Sequence, residues 1–302
     1  PSGAGVKSSL LFLEKKKRSD KSDYTIFMAE VEKIGFDATG RPTENELPLI
    51  LEAYRRETVK WNSFQQNRCR RINMSEIENL RFEAFYYNPI HKKLETELKK
   101  LANDEISVKP LSELGVFVDK LTKAERDKEF EESETRNYIE ISDIDNDLGE
   151  IKETTEYTQE EIPNNAQKIV KKGDVIISTR RPTRGAIAVV DDKNSNSLCT
   201  TFVEVFRPNE KICSDYLKYA LRSSFSKIQF QRYSTFTSYP VISQEDIGKV
   251  LIPIPNDINK QRNSINKSQS ITNDVIKLKK ELKSTYDKLE VEVEHAIYDK
   301  LI

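Results

Sequence analysis

The chain has 302 residues, enough to bury one large core or two modest ones, and 36% of it is hydrophobic against 33% charged. Its three cysteines (Cys69, Cys199, Cys213) follow no metal or disulfide spacing, and its two histidines (His91, His295) lie far apart. That argues against a disulfide framework, a zinc site or a histidine-based acid–base centre, and fits a reducing compartment. The net charge of −1 conceals segregation: residues 54–71 are basic (Arg55, Arg56, Lys60, Arg68, Arg70 and Arg71 against Glu57), residues 119–161 are acidic, and residues 168–249 are modestly basic. Local sign sets an electrostatic footprint, so a basic face is open to this chain despite its neutral average.

The first residues, Pro1-Ser-Gly-Ala-Gly5, read as a turn. A phosphate loop needs more glycines, a Lys-Ser/Thr pair and a following helix. A strand is expected next, ending in Lys15-Lys-Lys-Arg18, and its apolar run Leu10-Leu-Phe-Leu13 is too short for a signal peptide or a membrane span. The expected location is cytoplasmic, with no membrane partner. One strand does not stand without a sheet, and no initiator methionine precedes it, so the polypeptide is expected to be the end of a longer one. Residues 24–34 read as a second strand and a short amphipathic segment, and residues 35–42 as a turn-rich connection. A helix is expected over residues 47–61, with Leu47, Ile50, Leu51 and Tyr54 on its apolar side. Residues 61–71 interleave basic and aromatic side chains, which suits either a solvated linker face or a phosphate-contacting one.

From residue 79 a new unit begins, with a helix passing through Leu94 and Leu98. Asn88-Pro89-Ile90-His91 lacks the second proline and the aromatic of the Asn-Pro-Pro-aromatic motif with which adenine methyltransferases hold a target base, and is rejected as catalytic. Residues 136–144 alternate apolar and polar, as a half-buried strand does. Residues 145–149 (Asp-Asn-Asp-Leu-Gly) form a turn without the remaining ligands of a calcium loop.

Residues 171–255 hold the features with the most chemistry. A strand ends in a basic turn (residues 173–185, with Thr179, Arg180, Arg181, Thr183 and Arg184), and a second apolar strand, Ala186-Ile-Ala-Val-Val190, follows at once. Arginines and threonines on a rigid hairpin tip suit phosphates and base edges. Lys171 and Lys172 precede it and fit phosphate contact. An amphipathic helix is expected over residues 214–226. The following residues 229–239 read as an irregular polar loop, in which Gln229, Gln231, Arg232, Tyr233, Ser234, Thr235, Thr237 and Ser238, with Phe236 and Tyr239, offer donors, acceptors and stacking faces to DNA. An apolar exit, Val250-Leu-Ile-Pro-Ile-Pro255, leads into one long helix from about residue 258. Ile271, Val275, Leu278, Leu282, Thr285, Leu289 and Ala296 fall at heptad positions, widened by Tyr286, Val293 and Ile297. Such a helix has to pack on another one, either residues 94–101 of this chain or a partner's.

Several of these segments carry a resemblance. Lys172-Gly-Asp-Val-Ile-Ile-Ser, Ala186-Ile-Ala-Val-Val, Phe202-Val-Glu-Val-Phe-Arg-Pro208, Tyr216-Leu, Ile242-Ser and Ile252-Pro-Ile-Pro255, with Tyr138-Ile-Glu-Ile-Ser-Asp-Ile144 as a first strand, resemble the target-recognition domain of type I restriction–modification specificity subunits. The long helix is similar to that family's spacer helix, and the resemblance covers about residues 80–302. The opening segment through Leu13, Tyr24-Thr-Ile-Phe-Met-Ala29 and Ile34-Gly-Phe-Asp37 resemble instead the last strands of the N6-adenine DNA methylase that works with such subunits. The resemblance implies a methylase fused to its own specificity domain, with S-adenosylmethionine held by the parent and no cofactor or catalytic residue in this part. Family subunits usually carry two recognition domains. One is found here, so either two copies pair through the helix or one domain reads a continuous site.

The expected class is α+β: a mixed recognition domain with a long coiled-coil-like helix. The expected units are residues 1–75 (methylase end and linker), 76–256 (recognition of double-stranded DNA) and 257–302 (spacer or dimerisation helix). The expected partners are DNA, a methylase domain or subunit, a restriction subunit and a second copy. The rival reading is a coiled-coil module that docks methylase or nuclease subunits.

Overall fold

A computed structural model describes residues 8–15, 23–37, 39–130, 134–235, 237 and 239–298. Residues 8–15 have no regular structure and leave Leu10 to Leu13 exposed, and among the described residues no strand pairs with them. The expected opening strand is therefore not formed there, and its flanks at Gly3, Gly5 and residues 16–18 lie outside the described residues.

A first unit comprises β1 (Thr25–Ala29), β2 (Ile34–Phe36), β3 (Pro42–Asn45), α1 (Leu47–Arg55), α2 (Ser63–Arg68) and β4 (Cys69–Asn73). β1 pairs antiparallel with β4, and β2 with β3. Ala53, Trp61 and Cys69 are buried together, with Phe27, Ala29 and Ile50 against them. The helix stops at Arg55, short of the expected residue 61, because Trp61 folds back and its indole N–H donates to the Ala53 carbonyl at 2.9 Å. Leu47, Leu51 and Tyr54 consequently face solvent, and Ala53 takes the buried side expected for them. The basic stretch is used inside this unit. Arg70 is buried against Glu30 at 2.5 Å, Arg68 pairs with Glu32 at 2.8 Å, and Arg71 donates to the Tyr54 carbonyl at 2.7 Å beside the Phe27 ring.

α3 (Pro89–Lys100) starts at Asn88, whose side chain accepts from the Ile90 N–H, with Pro89 in the first helical position. Asn88-Pro89 is a helix cap, in keeping with the chemistry of both residues. Then follow β5 (Ile106–Pro110), β6 (Gly115–Phe117), α4 (Lys123–Lys128), β7 (Thr135–Ile139), β8 (Thr155–Thr158), β9 (Ala166–Ile169), β10 (Val175–Ser178), β11 (Ile187–Val189), β12 (Leu198–Thr200) and β13 (Val203–Pro208). The chain continues through α5 (Ser214–Arg222), α6 (Ser224–Tyr233), α7 (Gln244–Gly248), β14 (Leu251–Pro255) and α8 (Ile258–Tyr298).

The central sheet has the order β11-β10-β13-β6, and a second sheet the order β8-β7-β12-β9. Alternation along β10 divides its side chains between two cores. Val175 and Ile177 pack with Phe206, Leu217, Leu221 and Phe230 under the helices, whereas Ile176 packs with Val203, Val205, Ile139 and Cys199 between the sheets. A strand buried on both faces accounts for the unbroken run Val-Ile-Ile. Lys168 of β9 and Glu204 of β13 form a buried ion pair that joins the sheets.

Two helices replace the single one expected over residues 214–226. Ser223 interrupts them and accepts from the Ser226 N–H, capping α6. α6 continues to Tyr233 because Phe230 is fully buried, so residues 229–233 are helical where a loop was expected. At the start of α8, the buried Gln261 carboxamide accepts from the Cys213 N–H at 2.8 Å and donates to the carbonyls of Lys211 and Pro255. Further along, the Tyr219 hydroxyl meets that of Thr272 at 3.1 Å, so within the chain α8 packs on α5 and not on residues 94–101, one of the two alternatives read from sequence. Beyond this contact Leu278, Leu282, Tyr286 and Leu289 are exposed. The side chains of Val293, Ala296 and Ile297 lie outside the described residues.

Candidate nucleic-acid interface

β10 and β11 form the hairpin, with Ile177 opposite Ile187. Its tip is a short 3-10 turn, Pro182–Arg184, between two left-handed residues, Arg181 (φ 47°) and Gly185 (φ 82°). A left-handed arginine is uncommon and needs outside support. Here its N–H donates to the Pro240 carbonyl at 2.8 Å, Arg180 bridges to Val241, and the Ile242 N–H donates to the Thr179 carbonyl at 3.0 Å. The tip is thereby joined to residues 240–242.

A second brace comes from Arg222 on α5. Its guanidinium donates to the Gly185 carbonyl and to the carbonyls of Asn146 and Asp147, at 3.0 and 2.6 Å. Burial pushes its pKa down, opposed by the nearby carboxylates, Asp145 first. Gly185 has positive φ, and an added Cβ would stand 3.3 Å from the Asn146 carbonyl oxygen, so the tip fits its brace without a side chain there. Lys279 of α8 lies 3.6 Å from Asp145 and 3.8 Å from Asp147, which carries the bracing on to the long helix.

The structure separates the residues read from sequence as one surface. Arg180, Arg181, Thr183 and Arg184 share the hairpin tip, and Arg184 is exposed. Thr179 is buried, and its hydroxyl donates to the Phe202 carbonyl at 2.8 Å. Lys171 and Lys172 are exposed at the other end of β10, a four-residue strand that by itself spans roughly 13 Å at ~3.3 Å per residue. Lys172 is paired there with Asp192 at 2.7 Å.

Gln229 is buried and spends both ends of its carboxamide on Leu251, donating to the carbonyl at 3.0 Å and accepting from the N–H at 2.8 Å. Arg232 lies 3.5 Å from Glu95 and 3.9 Å from Glu78, over the Tyr86 ring. Tyr233 packs against the core, and Ser234 is buried and donates to the Phe230 carbonyl. These four side chains hold the fold and are withdrawn from the surface expected of them. Gln231, Thr235 and Thr237 are exposed, and Ser238 and Phe236 lie outside the described residues. Two rings adjoin the tip, Phe202 beside Arg180 and Tyr239 beside Arg181; Tyr239 belongs to the segment expected to meet DNA, and Phe202 does not. Phe202 sits in the run Leu198-Cys-Thr-Thr-Phe-Val203, where nothing distinguishes it from a core residue.

A cleft of about 640 Å³ lies between residues 78–83 and 241–249. Its charges are matched internally: Glu83 with Arg81, Glu245 and Asp246 with Lys249, and Glu78 with the Tyr86 hydroxyl at 2.5 Å. No glycine lines it. Among the described residues no group of three or more metal-ligating side chains gathers, and no helix is long and apolar enough to cross a membrane.

Residues 103–285 match the family model of the type I restriction modification DNA specificity domain. The HsdS subunit from Thermoanaerobacter tengcongensis is similar in structure, with 28% identity, a TM-score of 0.50, and coverage of 58% of this chain and 44% of that one. A chain from a study of complex assembly and conformational transition of the type I R-M system shares 25% identity and a TM-score of 0.52, over 65% of this chain and 49% of that one. The matched part thus spans less than half the length of either solved chain. None of the curated protein sequences matches. With its family match covering more than half of its residues, this chain belongs to the type I restriction–modification DNA specificity family.

Proposed function

We propose that the hairpin tip, Thr179 to Gly185, meets double-stranded DNA and selects the site at which a type I restriction–modification assembly acts. The observation that carries this reading is the gathering of Arg180, Arg181 and Arg184 on one braced turn, in a domain of the DNA specificity family. Each bidentate arginine–guanine contact is worth about 1–3 kcal/mol of discrimination. Thr183, Gln231, Thr235 and Thr237 complete the proposed surface, and Ser238, outside the described residues, is included on its sequence alone. Lys171 and Lys172 serve as outlying phosphate contacts. A gel-shift titration of the Arg180→Ala/Arg181→Ala/Arg184→Ala variant tests the reading: specific binding is expected to fall at least a hundredfold, and unchanged affinity and site preference refute it.

The division at residues 75 and 256 is part of the same proposal. Residues 1–75 are assigned to the end of an N6-adenine DNA methylase on their sequence resemblance, and S-adenosylmethionine to that methylase rather than to this chain. Methylase and restriction subunits are the proposed partners. Co-purification of a methylase subunit with this chain supports the assignment, and loss of that co-purification on removing residues 1–75 places the contact there. A second copy of the chain is proposed to pair along α8, an idea favoured by the exposed row Leu278, Leu282, Tyr286 and Leu289.

A further inference from the structure

Two of the three hairpin arginines already have partners. The Arg180 guanidinium carbon stands over the Phe202 ring, 5.0 Å from its centroid, and that of Arg181 over the Tyr239 ring at 4.5 Å. Both rings face solvent, at 41% and 49% exposure, so neither is a core residue that leans outward by accident of packing. Their backbones are tied to the same turn as the arginines. The Phe202 carbonyl accepts from both the N–H and the hydroxyl of Thr179, at 3.0 and 2.8 Å, and Phe202 donates its own N–H to the Thr200 hydroxyl at 3.3 Å. Pro240, directly after Tyr239, accepts from the Arg181 N–H.

A guanidinium held over a ring keeps its planar N–H edge available, and that edge matches the O6 and N7 acceptors of guanine. Stacking also removes rotamer freedom before binding, freedom that an unstacked arginine loses only on contact. Arg184 differs, being exposed with no side-chain partner among the described residues. A free, flexible cation suits a phosphate more than a base edge.

We propose that Phe202 and Tyr239 are positioning residues for base readout: Phe202 orients Arg180, Tyr239 orients Arg181, each arginine reads a guanine, and Arg184 holds a phosphate. This rests on the reading of the hairpin as the DNA-facing element, and the test separates the two. The probe is a duplex DNA library with a randomised core, from which the full chain and its variants select sequences, with affinity for the winning duplex measured afterwards.

Phe202→Ala is expected to blur the same base position as Arg180→Ala, and Tyr239→Ala the same position as Arg181→Ala. The aromatic variants lose about two- to fivefold in specific affinity, as expected for exposed cation–π pairs. Tyr239→Phe and Phe202→Tyr, which keep the rings, restore both readouts. Binding to an unrelated duplex and thermal midpoints stay unchanged, which a merely structural role for the rings does not predict. If the aromatic variants select the unaltered sequence while the arginine variants do not, the positioning role is overturned and the hairpin reading stands. If the arginine variants also select the unaltered sequence, or the unaltered chain enriches none, both are overturned.

Discussion

His91 sits 3% exposed between α3 and α6, its Nε2 3.1 Å from the Phe85 carbonyl and its Nδ1 without a hydrogen-bond partner. Burial first, and the Arg232 charge second, push its pKa down from 6.5 to about 4. The ring is therefore neutral in the fold but takes up a proton in the unfolded chain once the pH drops below 6.5. Stability is lost as pH falls through the window from 6.5 to about 4, and the loss levels off below it. His91→Gln should flatten the thermal midpoint across that window, and a profile parallel to the unaltered protein refutes the assignment. At this scale the sequence was a partial guide. The hairpin arginines could be located because a polar tip between two apolar strands leaves them no other place. Gln229 and Arg232 are chemically indistinguishable from DNA-reading residues until the fold shows Leu251 and Glu95 occupying them. Phe202 gave no signal, since an exposed aromatic and a buried one look alike in a strand run.

Among the elements, α8 leaves a row of apolar side chains exposed along its far half. Its base is fixed by Gln261 and Thr272, but Leu278, Leu282 and Leu289 at heptad positions, with Tyr286 beside them, are exposed among the described residues. Introducing Leu278→Glu with Leu282→Glu places charges in that seam. The mass measured by light scattering should drop from dimer to monomer while the circular dichroism of the domain is kept, and an unchanged mass dismisses α8 as the contact. Periodicity made this helix legible in advance, because a heptad row needs no knowledge of the neighbours. Its actual neighbour, α5, was not legible, since the meeting of Tyr219 and Thr272 depends on how the sheet turns the chain. α6 escaped for a related reason. Its stretch after Ser223, rich in serine, glutamine and aromatic residues, has modest helical preference, and the burial of Phe230 overrides the loop-like composition.

Taken as a whole the molecule carries a charge of −1, so the proposed reading draws its attraction to DNA from the tip instead of from an overall positive charge. Removing one phosphate contact should lower the slope of log affinity against log salt by about 0.9. Arg184→Ala is expected to do so without altering the selected sequence, and an unchanged slope removes Arg184 from the phosphate contacts. The tip also differs from an ordinary surface loop. It ends a strand whose two faces lie in separate cores, and it is pinned by Pro240 on one side and Arg222 on the other. Such a turn has little freedom left to adjust to what it meets, so the accommodation falls on the double helix. Duplexes that bend or widen a groove cheaply gain an advantage at steps the protein never touches, and the stiffness of the DNA becomes part of what is recognised.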